Sequence, residues 1–587
     1  RAQGELFIRA LEDARRSGDA SFFEKRRQEL EKEYLKPALA HLETVQRQGA
    51  GVDSPHYLEG LIAFYSKRPD DALRHAEAAL QQDGWLYEAR KLQGDVLFAQ
   101  AQEEKASGQQ EAADRDFQDA IRLYEQAAQI GRSDHGLYEA IAEAWIRQLE
   151  MDVARGRDPQ AKHEQALAAA DRSIQASRRD SYGYTKKAYS YSFNTQYYIA
   201  KDAQVQSRKY INDLIAAGKQ AIALHPGDAY AHEVTGMGYI QKAQLDAGGA
   251  PAAIQENLNA GRQLFSKAIE IDPKFAWAYN DLSVSFIAEF DSQLMSGNAD
   301  IEKLHSAIAS LRQAVRIDDR YFNAYSNLAE AGRLWAAWQV EHGQDPERAA
   351  GQAAEAAQAA LKINPQFQNA FGIMGSVSLL QAEYDALLGR DLTVHAKAAM
   401  DYFSRAIAIN PSIIAYYGFS SYALYLILSK SPTGDPQLAA QASASIAKCY
   451  KLDANFSPCL WADALLKTLA VPKQRELSVA LGRQAVLHAQ PEDAPMANLM
   501  LATLLYEQAR ELSARKQPAV AQLDEGLAAL RKALQSSPAW PRALALQSSL
   551  AWLRAGREKS DAQHGALVQL ARQSLTQAQK GNPLIRE

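Results

Sequence analysis

Two His-Glu pairs, His163-Glu164 and His232-Glu233, are where this sequence comes nearest to metal-dependent hydrolysis. A helical zinc site with its general base needs a second histidine one turn after the first, and both pairs lack it. The 12 histidines are otherwise scattered, so no metal site is expected. Gly236-Met237-Gly238 lacks the third glycine of a phosphate-cradling loop and falls inside a helical pattern, where Gly236 reads as a packing position. Neither a serine elbow nor a kinase catalytic loop occurs. The many Asp and Glu residues read as solvated helix faces; an all-helical hydrolase would require two of them to converge in a deep acidic pocket. The expectation is a chain without catalytic residues, cofactor or metal. Cys449 and Cys459 stand either side of one helix-to-helix turn. They fit a disulfide, which persists only in an oxidising compartment, or equally two small buried thiols in alanine positions.

Composition narrows the partners. The 587 residues carry 65 basic and 70 acidic side chains, a formal charge of -5, which provides no broad footprint for nucleic acid. The longest stretch without charge, 407–429, has the length of a membrane span but contains Asn410-Pro411 and several serines, so it reads as a buried repeat helix. Any membrane attachment is expected through a segment outside this chain. Arg1 opens the sequence, and 5–45 is charged and helix-forming without the apolar core of a signal peptide, which suggests a fragment or a processed product.

The elements that position these residues are set by an internal repeat. Around Pro226, Pro273, Pro365, Pro411 and Pro538 the same phase recurs: a small residue five before, another five after in all but the Pro411 copy, an aromatic at six in most copies, and a small residue at ten. Pro273, for example, has Ala268, Ala278, Tyr279 and Ser283, with Phe265 eight before it. Counting from such anchors at 84, 132, 178, 226, 273, 319, 365, 411, 454, 491 and 538 gives spacings of 37 to 48 residues, mostly 46 to 48. Proline ends one helix and opens the next, where its missing N–H is no loss. Gly, Ala and Ser let helix axes approach closely, with the aromatic beside them filling the crossing. Alternating β-branched runs are absent, so the fold class is all-α.

This phasing resembles the tetratricopeptide (TPR) repeat from about His56 onward, with a period longer than the family's 34 residues. The resemblance implies a right-handed superhelical solenoid of about eleven elongated helix pairs. Turn-rich segments at 156–159, 248–251, 343–346 and 432–436 mark the loops inside the pairs. The expected divisions are an N-terminal helical cap (1–50, kinked or broken at Pro37), a long-repeat solenoid (51–453) and degenerate repeats with a cap (454–587). In such arrays the first helix of each pair lines a concave groove. The matching positions hold Tyr182, Tyr189 and Phe193, then Tyr230 and Met237, then Trp277, Asn280 and Val284, then Asn323 and Arg333, Asn369, Tyr422 and Tyr425, and Trp461. That groove reads as aromatic and mostly uncharged, suited to an extended peptide or partner helix, although some of the rings equally suit inter-repeat packing. The Asn, Lys and Arg clamp that some family members close on a C-terminal carboxylate is missing at Asp95, Glu143, Tyr189, Met237, Val284, Glu330, Ser376 and Tyr422.

A narrower resemblance comes from Tyr34-Leu35-Lys36-Pro37, Ser54-Pro55-His56-Tyr57-Leu58-Glu59-Gly60, Asp71-Ala72-Leu73, Gly84-Trp85-Leu86-Tyr87-Glu88-Ala89 with Gly94, and the closing Asn582-Pro583-Leu584-Ile585. These are similar to the repeat region that follows the kinase domain and membrane helix in certain bacterial Ser/Thr protein kinases. It implies a non-catalytic sensory solenoid, periplasmic or otherwise extracytoplasmic, in which a protein or peptide ligand shifts helical pitch or self-association. The alternatives are a freestanding periplasmic scaffold or assembly factor, and a cytoplasmic placement.

Overall fold

In a computed structural model of the chain, the described residues are 28–48, 54–200, 203–246, 251–294, 299–430, 435–470, 474–490 and 493–585, and among them there are helices and turns but no strand. The elements run α1 (Lys36–Gln48), α2 (Pro55–Tyr65), α3 (Pro69–Gln82), α4 (Tyr87–Ala106), α5 (Gln110–Ile130), α6 (His135–Ala154), α7 (Gln160–Ala176), α8 (Tyr182–Ala200), α9 (Gln204–Leu224), α10 (Ala229–Leu245), α11 (Pro251–Ile271) and α12 (Ala276–Leu294). They continue with α13 (Ile301–Ile317), α14 (Phe322–Glu341), α15 (Glu347–Ile363), α16 (Gln368–Leu388), α17 (Thr393–Ile409), α18 (Ile414–Ser429), α19 (Pro436–Leu452), α20 (Ser457–Leu469), α21 (Arg475–His488), α22 (Ala494–Ala514), α23 (Val520–Ser536), α24 (Pro541–Ala555) and α25 (Asp561–Gly581). From α2 on, consecutive helices pack in pairs, which is the TPR-like arrangement.

The turn between pairs explains the repeat's phase. Asp83, Asp272, Asp318, Asn364, Asn410 and Asp453 each stand one residue before an anchor, and each side chain accepts the backbone N–H two residues on at 2.8–3.1 Å. The backbone N–H of the same residue caps the ending helix by donating to the carbonyl four back, on Ala79, Ala268, Ala314, Ala360, Ala406 and Cys449. All six acceptor residues are fully buried, which is why the position five before each anchor is small.

The small residue at ten is explained by a ring on the second helix of the same pair. A Cβ on Gly94 would stand 2.6 Å from the ring of Tyr124, one on Gly375 2.6 Å from that of Phe403, and one on Gly236 2.7 Å from that of Phe265. Each of these rings lies eight residues before the following anchor and is buried. The crossing is therefore filled by the ring at minus eight, rather than by the aromatic at plus six expected from the sequence.

The long period lives mainly in the helices. The first pair, α2 and α3, has 11 and 14 residues, whereas α4 and α5 have 20 and 21. At the tips, Gly156 and Gly343 take φ of +66° and +67°, a left-handed turn that favours glycine. Tip residues 248–250 and 432–434 lie outside the described residues. Pro37 neither breaks nor ends its helix: the π-helical stretch Glu31–Leu35 immediately precedes α1 and widens the coil where the proline nitrogen has no hydrogen to donate. Of the expected cap, 1–27 lies outside the described residues. The uncharged stretch 407–429 is split by the turn between α17 and α18, and among the described residues no helix is long and apolar enough to cross a membrane.

Contacts divide the chain into two compact units, Arg1–Ser285 with Ala309–Ala324, and Phe286–Ile308 with Tyr325–Glu587. The division expected at 454 falls within the second unit. Cys449 at the end of α19 and Cys459 in α20 are fully buried and joined in a disulfide, their Cα atoms 6.4 Å apart.

Candidate binding clusters on the first helices

In the first unit, the first helices α4, α6 and α8 carry a chain of ion pairs. Lys105 Nζ lies 2.5 Å from Glu150 Oε2, Arg147 bridges Glu150 at 3.0 Å and Glu143 at 2.5 Å, and Lys186 Nζ closes on Glu143 at 2.7 Å. Burial pushes the Glu143 carboxyl upward, but Arg147 and Lys186 outweigh it and hold the group well below the usual carboxylate range. These side chains keep 10–25% of their surface exposed, so the group is partly solvated rather than set in a dry core.

Aromatic groups continue this surface. The Arg147 guanidinium lies 5.3 Å from the centroid of the Trp277 ring, and Tyr189 meets that ring edge-on at 6.3 Å. Tyr230 packs on Phe275 at 4.5 Å and faces Trp277 at 6.5 Å; Phe275 is buried beneath, Trp277 is half-buried and Tyr230 is more exposed. The Tyr189 hydroxyl donates to Glu233 Oε2. Glu233 is hydrogen-bonded in turn to Asp281, whose Oδ1 accepts from the Asn280 amide at 2.9 Å. Burial first and the Asp281 carboxyl second raise Glu233 well above the usual range, so the pair shares a proton. Tyr189 and Asn280 satisfy these carboxyls, which makes them a closed network rather than an open acid pair.

The second unit gathers a different cluster. Arg542 on α24 grips Glu341 of α14 at 3.0 Å and Glu383 of α16 at 2.8 Å, and Trp540 Nε1 donates to Glu341 Oε2 at 3.1 Å. Burial leaves Glu341 above its usual range even beside Arg542, because one guanidinium serves two carboxylates. Tyr422 is hydrogen-bonded to Glu383, stacks on Tyr425 at 6.2 Å and meets Trp461 edge-on at 5.3 Å. Asn582, in the turn after α25, donates to the carbonyl of Val340 at 3.3 Å.

The residues expected in one continuous groove are thus found in two places. Tyr189, Tyr230, Trp277 and Asn280 come together in the first unit, where Phe193 packs against the apolar group around Tyr189 and Tyr182 is exposed. Tyr422, Tyr425 and Trp461 come together in the second, but Trp461 is buried in the core there. Arg333 is paired with Glu330 at 2.5 Å, Asn369 accepts a 3.5 Å bond from the Tyr416 hydroxyl, and Asn323 is exposed.

The expectation of a mostly uncharged groove is corrected. Glu143 stands at the same phase as Tyr189, Arg147 at the phase of Phe193, and Glu233 at the phase of Asn280, so neighbouring repeats place charged groups, rings or an amide at the same positions. The Glu143–Arg147 spacing of one helical turn was the available signal. The pairing of Arg542 with Glu341 and Glu383 had none.

No family model matches the chain, and no curated protein matches it. Among solved structures, it is similar to yeast Tom70 (13% identity, 83% of this chain and 95% of that one, TM-score 0.37). It is also similar to the human IFIT1 dimer with m7Gppp-AAAA (12% identity, 76% and 90%, TM-score 0.35). A third similar structure is a tetratricopeptide repeat protein from Parabacteroides merdae (11% identity, 55% and 97%, TM-score 0.34).

Proposed function

We propose that the chain is a non-catalytic binding scaffold that receives a segment of a partner protein on the first-helix face of its N-terminal unit. The observation that carries this is the half-exposed aromatic group of Tyr230 and Trp277 over buried Phe275, set beside the partly solvated ion pairs of Arg147. Rings supply contact area at low entropic cost, and adjacent fixed charges orient a bound backbone or side chain. A random-peptide display library panned against the whole chain should yield peptides whose affinity falls at least about 10-fold in the Trp277→Ala, Tyr230→Ala double variant. The exposed Trp552 of the second unit serves as control, since Trp552→Ala should leave affinity unchanged. Equal affinity in the wild type and the double variant would remove the site.

The finer proposal is that such binding regulates a bacterial Ser/Thr kinase from outside the cytoplasm. Its support is the resemblance at Tyr34–Pro37, Ser54–Gly60 and Asn582–Ile585, together with the Cys449–Cys459 disulfide, which suits an oxidising compartment. A selected peptide that binds the full-length protein without changing its autophosphorylation would end the kinase reading and leave the scaffold intact.

A further inference from the structure

Two of the histidines that look scattered in the sequence meet across the first helix pair. His56 and Glu59 lie one turn apart on α2, and His75 lies on the facing helix α3. The Nδ1 atoms of His56 and His75 each stand 3.0 Å from the same oxygen, Glu59 Oε2. The two imidazole rings are stacked with centroids 6.3 Å apart, and the three ligand atoms all lie within 4.8 Å of one another.

From this geometry we infer that His56, Glu59 and His75 form a binding site for a divalent transition-metal ion, with Zn²⁺ the best fit. Two nitrogens and one carboxylate are the donor set of open zinc sites, in which three protein ligands leave a fourth position to water. Bonds of about 2.0–2.1 Å in a tetrahedron separate ligand atoms by about 3.3 Å. The two nitrogen–oxygen separations of 3.0 Å need only a few tenths of an ångström of opening, and the two nitrogens, within 4.8 Å of each other, are brought to the same spacing by rotation of the exposed His56 side chain. Two imidazole nitrogens disfavour Mg²⁺ and Ca²⁺, which prefer all-oxygen shells. Side-chain exposures of 47%, 32% and 28% for His56, Glu59 and His75 leave the site open to solvent, so the ion has an entry path and room for a water ligand. Gly60, next to Glu59, faces the backbone of α3, where a Cβ would lie 3.5 Å from the Ala72 carbonyl and the Ala76 N–H, in ordinary contact. Bound metal would tie α2 to α3, which at 11 and 14 residues are the shortest pair among the described residues.

The test uses the whole chain, stripped of metal with chelator and titrated with Zn²⁺ by calorimetry. Co²⁺ serves as a spectroscopic probe of tetrahedral nitrogen ligation. The expected result is one tight Zn²⁺ site per chain that weakens by at least about 100-fold in the His56→Gln, His75→Gln double variant. That variant should keep the wild-type helical circular dichroism and melting behaviour in chelator, because the ligands contribute little to packing without metal. Wild-type Tm should rise on adding Zn²⁺, and the variant's should not. A second group, His135, Glu139 and Asp180, also brings a nitrogen and two carboxylates within 4.8 Å, so His135→Gln is the required comparison. Tight zinc binding that survives the double variant, or that disappears only in His135→Gln, overturns the assignment, as does a wild type that takes up no zinc.

Discussion

The two compact units handle charge on their first-helix faces in opposite ways. In the N-terminal unit, Lys105 and Lys186 reach from neighbouring first helices to Glu150 and Glu143, which Arg147 joins within α6, so three successive first helices are linked. In the C-terminal unit, Arg542 on α24 reaches Glu341 on α14 and Glu383 on α16, passing over the three intervening pairs α18 to α23. A neighbour network has spare partners. A single cation holding two distant carboxylates has none, and its loss leaves Glu341 with Trp540 and Glu383 with Tyr422 but neither with a counter-charge.

Breaking the distant grip should therefore produce the largest effect. Arg542→Ala is expected to cost about 3–5 kcal/mol in chemical denaturation, with most of the loss recovered when Glu341→Gln and Glu383→Gln are added. A cost below about 1 kcal/mol would mean that the grip is incidental. Next in size is acid sensitivity in the N-terminal unit. His163 on α7 is fully buried between Tyr191 and Tyr210, bonds the Ser190 hydroxyl at 2.8 Å, and is pushed down to about 4 by burial, with Glu164 and Lys209 the nearest charges. The unfolded chain takes up this proton near the ordinary value of about 6.5, so stability is full above that and falls as pH drops towards about 4, by up to about 3 kcal/mol. Hydrogen exchange at pH 4.5 should open α7 to α9 before α16, and His163→Gln should abolish the order.

Arg147→Met sharpens the comparison from the other side. Glu143 keeps Lys186 and Glu150 keeps Lys105, so the expected cost is about 1–2 kcal/mol, clearly less than at Arg542. The smallest effect belongs to Glu233→Gln. A carboxyl raised in the folded state stabilises below its unfolded value and loses that contribution as pH rises, so the amide should flatten the decline in Tm between pH 5 and pH 8. An unchanged pH profile would show that Glu233 and Asp281 do not share a proton.

What the sequence revealed follows from the range of each interaction. The anchors, the buried small residues five before them and the cysteines around the turn at 454 are local, because the turn's own hydrogen bonds set their spacing. The helix pairs and all-α class follow from the same phase. The partners of the small residues at ten were half legible: Phe265 and Phe403 stand at a fixed phase, but only the fold shows that they pack against Gly236 and Gly375 on the first helix of the same pair. The ion chain was hidden because Glu143 and Arg147 stand at the phases of Tyr189 and Phe193, and His56 with His75 because they lie on different helices. Contacts such as Asn582 with Val340, 242 residues apart, leave no periodic trace at all.

The lock between a glycine ten residues after one turn and a ring eight residues before the next has a consequence for how such a chain can change length. Both positions are counted from turns, and the stretch between them contains the loop inside the pair. An insertion in that loop, at Ser107–Gln109 or Gly389–Leu392 for instance, leaves the ring facing its glycine. A single added residue between a ring and its turn, or between a turn and its glycine, rotates the ring or the gap about 100° around its helix and closes the contact. The spread of spacings from 37 to 48 is then the record of a frame that tolerates variation at the tips and forbids it beside the turns.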